Sequence, residues 1–118
     1  DAPAARVKKR SPLCGSTVSV DLAVDDGRIT AFAQTVRACA LGQASAAVLG
    51  KAVIGADRPT IAAGRAALLA LLTEDGPTPP APFAALEVLR PAREYKNRHP
   101  SILLAWDATL AAFDEATG

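Results

Sequence analysis

The chain has 118 residues, a length typical of one domain, so we expect a single domain over residues 1–118. Half of the residues are hydrophobic and the formal net charge is +1, which argues against a disordered tail and against a strongly basic nucleic-acid binder. No apolar run approaches the length of a membrane-spanning helix and no signal-peptide pattern is recognisable. We therefore expect a cytoplasmic protein that binds neither nucleic acid nor membrane.

The first part of the chain carries the pattern of β-strands. Apolar and polar side chains alternate from residue 18 to residue 24, which predicts a strand with one buried face. Asp25-Asp26-Gly27 follows as a turn signal, because Asp-Gly favours the positive φ angles of a tight hairpin. The returning strand is predicted at Ile29–Val36, so the hairpin occupies about 17–37. The segment 5–9 could add a short edge strand.

Helical patterns begin after the hairpin. A first helix is predicted to open near Cys39 and to end near Gly50, because the residues between them are mainly Ala, Leu, Gln and Ser. A second helix carries start signals at Asp57 and Thr60, either of which could supply the N-terminal cap. This second helix is predicted to continue through Leu72.

The last third of the chain is predicted to be helical after a proline-rich connector at 77–82. Residues 83–95 are expected to hold one or two short helical turns, interrupted by Pro91. The final helix is predicted from Ser101 to about Ala116. Because the strands precede the helices, we expect an α+β fold in which helices pack on one face of a small antiparallel sheet.

Three side chains could bind a soft or borderline metal: Cys14, Cys39 and His99. Each falls at a predicted element boundary, and thiolates and imidazole suit zinc or iron–sulfur chemistry. Both cysteines could instead be small buried hydrophobic residues. A disulfide is not expected, because no secretory segment is recognisable. A cysteine nucleophile with His99 as base is a further alternative, but no orienting acid is identified.

Three segments together resemble one family. They are Ser-Pro-Leu-Cys-Gly-Ser at 11–16 before the acidic hairpin, Ala-Cys-Ala-Leu-Gly-Gln-Ala-Ser at 38–45, and Arg-His-Pro-Ser-Ile-Leu-Leu-Ala-Trp at 98–106. In this order they are similar to the three cysteine motifs of the NifU/IscU/SufU-like scaffold proteins of iron–sulfur cluster assembly. The resemblance covers about residues 11–113.

This resemblance implies a SufE/NifU-like fold and a protein that is not an enzyme. Such a scaffold would hold a transient [2Fe–2S] cluster, a persulfide or zinc on Cys14 and Cys39, with His99 as third ligand. It would receive sulfur from a cysteine desulfurase and pass the cluster to apo iron–sulfur target proteins. The two cysteine sulfurs are then expected to lie within roughly 4–7 Å of each other.

The sequence departs from the family pattern at two chemical positions. Ser16 stands where the family has an Asp two residues after its first cysteine. The family's third cysteine becomes Ser101 when the chain is aligned on the helix of Trp106. It becomes Pro100 when the chain is aligned on the His-Cys form of the motif, and His99 then matches the family's histidine ligand.

These departures leave two functional hypotheses. Serine is a poor ligand for soft metals because its hydroxyl stays protonated near neutral pH, so a weakened scaffold site is expected. The alternative is a metal-free interaction module that keeps the fold and the surface that docks its partner. A basic patch of Arg90, Arg93, Lys96 and Arg98 is either that surface or a solvated one, and the cluster at 6–10 is expected to be solvated.

Overall fold

The computed structural model describes residues 4–12 and 15–118, so Cys14 lies outside the described residues. Within these ranges there are three strands and three α-helices: β1 (Ala4–Arg10), β2 (Thr17–Asp25), β3 (Arg28–Arg37), α1 (Ala40–Ala52), α2 (Arg58–Glu74) and α3 (His99–Thr117). Two 3-10 segments in the same part of the chain, Ala84–Glu94 and Lys96–Arg98, lie between α2 and α3.

The strands form an antiparallel sheet in the order β1-β2-β3. The predicted hairpin is present, and its turn places Asp26 at φ 52° and Gly27 at φ 75°. Both angles are positive, as a tight two-residue hairpin turn requires. The register between β2 and β3 shifts at Ala23/Val24, a bulge that bends the strands close to this turn. The short edge strand that the sequence allows at residues 5–9 is present as β1.

The two faces of the sheet differ as the alternation in β2 predicts. The side chains of Val18, Val20, Leu22 and Val24 are buried, whereas the intervening residues are partly exposed. α3 packs over β2 and β1, and α1 contacts β3 on the same side. The α+β fold with helices on one face of the sheet is therefore confirmed.

The centre of the core is built around Trp106 of α3, which is fully buried. Its ring meets that of Phe83 edge to face, with a centroid distance of 4.9 Å. The indole N–H donates to the hydroxyl of Ser45, 2.9 Å away. α2 approaches closely at Gly64, where an added Cβ would lie 2.6 Å from the Trp106 ring and 2.7 Å from that of Phe83. Only glycine fits this crossing without displacing a ring.

The helix boundaries follow their capping chemistry. Asp57 caps α2, because its carboxylate accepts the backbone N–H of Thr60 at 3.0 Å. α3 begins at His99, two residues before the predicted start, because Pro100 suits a first helical turn, where its missing N–H costs no hydrogen bond. The 3-10 segment Ala84–Glu94 continues through Pro91, whereas the sequence predicted an interruption there. Proline's φ of about −65° is compatible with 3-10 geometry, so the segment continues.

No helix in the described part of the chain is long and apolar enough to cross a membrane.

Candidate functional site

Cys39 occupies the junction between the sheet and the first helix. It is the N-cap residue of α1, with φ −64° and ψ 170°, and its carbonyl accepts the backbone N–H of Gln43 at 2.9 Å. The side chain is partly buried and its thiol is free among the described residues. This placement at a helix N-terminus agrees with the sequence prediction.

One serine hydroxyl contacts this thiol, and a second serine contacts the first. Ser101, in the first turn of α3, places its Oγ 3.8 Å from the Sγ of Cys39. The Oγ of Ser16 lies 2.8 Å from that of Ser101. Both serines are buried, at 5% and 2% exposure for Ser16 and Ser101. We call Ser16, Cys39 and Ser101 the vertex, because the end of the β1–β2 turn and the N-termini of α1 and α3 meet there.

The close approach of α1 to α3 at the vertex depends on Gly42. An added Cβ at this position would lie 2.8 Å from the Oγ of Ser101 and 2.8 Å from the Cβ of Ala38. Contacts this short would push the two helix N-termini apart. The small residues that follow Cys39 in the sequence therefore bring the thiol close to the hydroxyl of Ser101.

The position of Ser16 is set by the turn between β1 and β2. The backbone N–H of Ser11 donates to the carbonyl of Ser16 at 2.8 Å, and the N–H of Gly15 donates to the carbonyl of Ser11 at 3.0 Å. Gly15 has φ +70°, a left-handed conformation that glycine adopts without strain. Cys14 lies outside the described residues.

The electrostatic environment of Cys39 favours its thiolate. Burial raises the pKa of the Cys39 thiol, but the backbone N–H of Gly42, the hydroxyl of Ser101, the guanidinium of Arg98 and the N–H of Leu41 all lower it. The net effect is a pKa below the ordinary value of 9.0. A thiolate at this N-terminus is a better nucleophile and metal ligand than a free thiol.

His99 faces a different environment from Ser101. Its Nε2 lies 3.0 Å from the carbonyl oxygen of Ala92 in the first 3-10 segment. His99 and Ser101 are two residues apart in α3, so their side chains leave the helix about 200° apart. Among the described residues, no group of three or more His, Cys, Asp or Glu side chains could hold a metal ion. His99 as a ligand stays a prediction.

The predicted basic patch is divided by its own ion pairs. Arg90 is bound by the carboxylates of Asp75 and Glu87, and Arg93 lies 3.9 Å from Glu94. The other two members of the patch are Lys96 and Arg98, which are exposed residues immediately before α3. Arg98 is the member that acts on the thiol of Cys39.

Solved structures with the same fold place the chain in a family. It is similar to the N-terminal part of a nitrogen-fixing NifU-like protein from Brucella abortus, with 44% sequence identity and a TM-score of 0.91, over 96% of this chain and 78% of that chain. The chain belongs to the NifU-like family. No protein-family model and no curated protein sequence matches it.

A second solved structure shows that this NifU-like chain shares its fold with a more distant protein. That protein is described as a proposed iron–sulfur cluster assembly scaffold for the SUF system of Fervidobacterium islandicum AW-1. The identity is 18% and the TM-score is 0.77, over 92% of this chain and 79% of that chain. At this identity the likeness concerns the fold.

Sequence reasoning singled out Ser16 and Ser101 of the NifU-like chain as departures but did not predict their mutual hydrogen bond. The two residues are 85 positions apart, so no local pattern connects them. The influence of Arg98 on Cys39 was also missed. Its position as the first residue of the third motif was the available signal.

Proposed function

We propose that this chain is an iron–sulfur cluster assembly scaffold whose cargo is held on Cys14 and Cys39. The observation that supports this proposal is the vertex itself. Ser16 and Ser101 are the departures from the family motifs, and Ser101 contacts both Ser16 and Cys39 although the three residues come from distant parts of the chain. Ser16 is two residues from Cys14, so the first cysteine is close to the vertex in the sequence.

The donor set at the vertex fits a weakened site. The described residues supply one thiol and two hydroxyls, and the hydroxyls are poor donors for iron or zinc. With Cys14, the chain would present two thiolates to a transient [2Fe–2S] cluster, a persulfide or zinc. Remaining positions would be open to His99 or to ligands from a partner. The proposed role is to hold and hand over cargo, without turning over a substrate.

The geometry also bears on which residue replaces the third cysteine. Ser101 contacts the thiol of Cys39, whereas Pro100 lines a cleft beside Ser11 and Pro12. This supports the alignment on the helix of Trp106. His99 would then join the site only if its ring left the carbonyl oxygen of Ala92.

The proposed partners are a cysteine desulfurase that supplies sulfur and apo iron–sulfur proteins that accept the cluster. The family relationship supports this assignment. Arg98 supports it locally, because it is an exposed cationic residue that acts on the thiol of Cys39.

One observation favours the second candidate, a metal-free interaction module. The hydroxyls of Ser16 and Ser101 hydrogen-bond to each other, so each has a partner within the protein. In that case the fold and the docking surface would be retained without a cluster.

Anaerobic reconstitution with iron and sulfide, or with zinc, tests the scaffold proposal against this alternative. The measurement is metal and sulfide stoichiometry per chain, for wild type and for Cys39→Ser and Ser101→Cys. We expect partial loading of wild type, loss in Cys39→Ser and a clear increase in Ser101→Cys, because a new thiolate would form at the vertex. Ser19→Cys, which adds a thiol on the outer face of the sheet, is the matched control and should load like wild type.

The outcomes separate the two candidates. If wild type and Cys39→Ser load equally, the metal is not at the vertex and the scaffold proposal fails. If neither wild type nor Ser101→Cys loads while both remain folded, the metal-free module is favoured. Equal gains in Ser101→Cys and Ser19→Cys would mean that any added thiol collects metal, and would contradict the proposed ligand position.

A further inference from the structure

The outer face of the sheet carries cations at the end that lies next to Cys39. The strand register places Arg10, Thr17 and Arg37 in one row and Lys8, Ser19 and Thr35 in the next. Alternation along the strands puts both rows on the side opposite the buried valines of β2. We call Lys8, Arg10 and Arg37 the cationic face. All three residues are exposed.

The cationic face has no internal counter-charge. Ion pairs in the part of the chain that the structure describes involve Arg6, Arg58, Arg65, Arg90 and Arg93. Asp21, the acidic residue in the next row of the same face, is already paired with Arg6. The other side chains of the two rows are hydroxyls, which are neutral. The field of the three cations is therefore available to an external acidic group.

The spacing of these cations fits an acidic helix. Arg10 and Arg37 lie in strands separated by β2, which sets their backbones about 10 Å apart. Lys8 and Arg10 are two residues apart in β1, or about 7 Å along the strand. Carboxylates at positions i and i+7 of a helix are also about 10 Å apart. Such a helix can pair one carboxylate with each arginine, each in a two-pronged contact.

The chemistry of the face does not suit nucleic acid. The chain has a net charge of +1 and a pI near 8.0, whereas nucleic-acid-binding domains are usually strongly basic. Neither row contains an aromatic side chain on which a base could stack. The face also lacks apolar side chains that could insert into a lipid surface.

We propose that the cationic face docks an acidic helix of a partner protein. The inference goes beyond the proposed function, because none of its residues is a cysteine or a proposed ligand. Arg37 is two residues before Cys39 in the sequence, so a partner bound here would lie next to the vertex. Contacts of this kind act mainly on the rate and orientation of encounter and weaken with salt.

The test is binding of a fluorescent, alanine-rich helical peptide with glutamates at i, i+7 and i+14, followed by anisotropy. We expect Arg37→Gln to weaken binding about threefold and Arg10→Gln/Arg37→Gln about tenfold. Lys51→Gln is the matched control, because Lys51 is an exposed cation at the C-terminal end of α1. It should bind like wild type. Cys39→Ser should also bind like wild type, so a failed cluster site would not affect this result.

Four outcomes would overturn the proposal. One is equal weakening by Arg37→Gln and Lys51→Gln, which would show a response to net charge alone. Another is equal affinity for a peptide of the same composition with glutamates spread around the helix. The third is tighter binding of a DNA or RNA duplex, or of anionic vesicles, than of the peptide. Wild-type binding that does not weaken between about 50 and 300 mM salt would contradict it equally.

Discussion

Two serine hydroxyls at the interface between α1 and α3 are buried to the same degree but have different partners. Ser45, at 0% exposure, accepts the indole N–H of Trp106 and donates to the carbonyl of Ile102 at 2.7 Å. Ser101, at 2%, contacts the hydroxyl of Ser16 and the thiol of Cys39. Burial alone does not distinguish a structural serine from one at a candidate site. The chemistry of the partners does.

The interface between α1 and α3 therefore has two parts, a core region around Trp106 and the vertex around Cys39. In the core region the hydroxyl of Ser45 and the indole of Trp106 hold α1 to α3. At the vertex a reactive group is partly accessible, and the polar groups around it favour its charged form. Variants in the core region should therefore change stability, and variants at the vertex should change thiol chemistry more than stability.

The largest effect is expected at the crossing of α2 with the core region. Gly64→Ala would place a Cβ 2.6 Å from the Trp106 ring, so a ring or a helix must move. We expect the free energy of unfolding to fall by about 3 kcal/mol in urea denaturation. The control is Gly50→Ala in α1, where the added Cβ meets the end of the flexible Gln34 side chain at 3.1 Å. That control should be neutral or slightly stabilising.

Ser45→Ala tests the polar half of the core region. It removes the acceptor of the buried Trp106 indole N–H, which is left unpaired, and one hydrogen bond to the carbonyl of Ile102, which keeps its helical partner in α3. The expected loss is about 2 kcal/mol. Thr73→Ala, which removes an exposed hydroxyl that donates to the carbonyl of Leu69, should cost much less. Similar losses for the two variants would mean that the buried network contributes no more than a surface hydrogen bond.

Compared with Ser45→Ala, Ser101→Ala should cost less stability but should measurably change the reactivity of the Cys39 thiol. We expect about 1 kcal/mol of destabilisation from one lost hydrogen bond. In a Cys14→Ser background, the pH midpoint of Cys39 alkylation should lie below 9.0 and rise in Ser101→Ala. Ser45→Ala should leave that midpoint unchanged. A midpoint that moves equally in both variants would contradict the division into two regions.

The smallest effect is expected outside both regions, on the first 3-10 segment. Hydrogen bonds from Arg90, then from Thr78, lower the pKa of Glu87 to about 2 from 4.5. Because the folded pKa is the lower one, the stabilisation is present above pH 4.5 and is lost as the pH falls towards 2. Glu87→Gln should therefore lower the thermal midpoint slightly at pH 6 and not at pH 2. Glu115→Gln serves as control, and a difference that grows at low pH would contradict the assignment.

Much of the fold could be predicted because its signals are local. The alternation in β2 follows from the two-residue period of a strand, and the hairpin turn follows from Asp26-Gly27. The sequence also predicted Asp57 as one of two candidate caps of α2, and Asp57 is the cap in the structure. The predicted start of α3 at Ser101 is two residues later than the observed start at His99, because Pro100 fits the first turn of the helix. The single-domain organisation stays a prediction.

The site was predicted less completely, because its geometry depends on contacts between distant segments. The motifs identified Cys39 and the departures at Ser16 and Ser101, which are properties of residue type and order. Whether those side chains meet depends on how α1 and α3 cross, and the sequence pattern does not encode that distance. Gly42 permits the close approach, and the packing of Trp106 orients α3. The polar partners of Cys39 were therefore visible only once the helices were packed, because its Sγ and the Oγ of Ser101 belong to residues 62 positions apart.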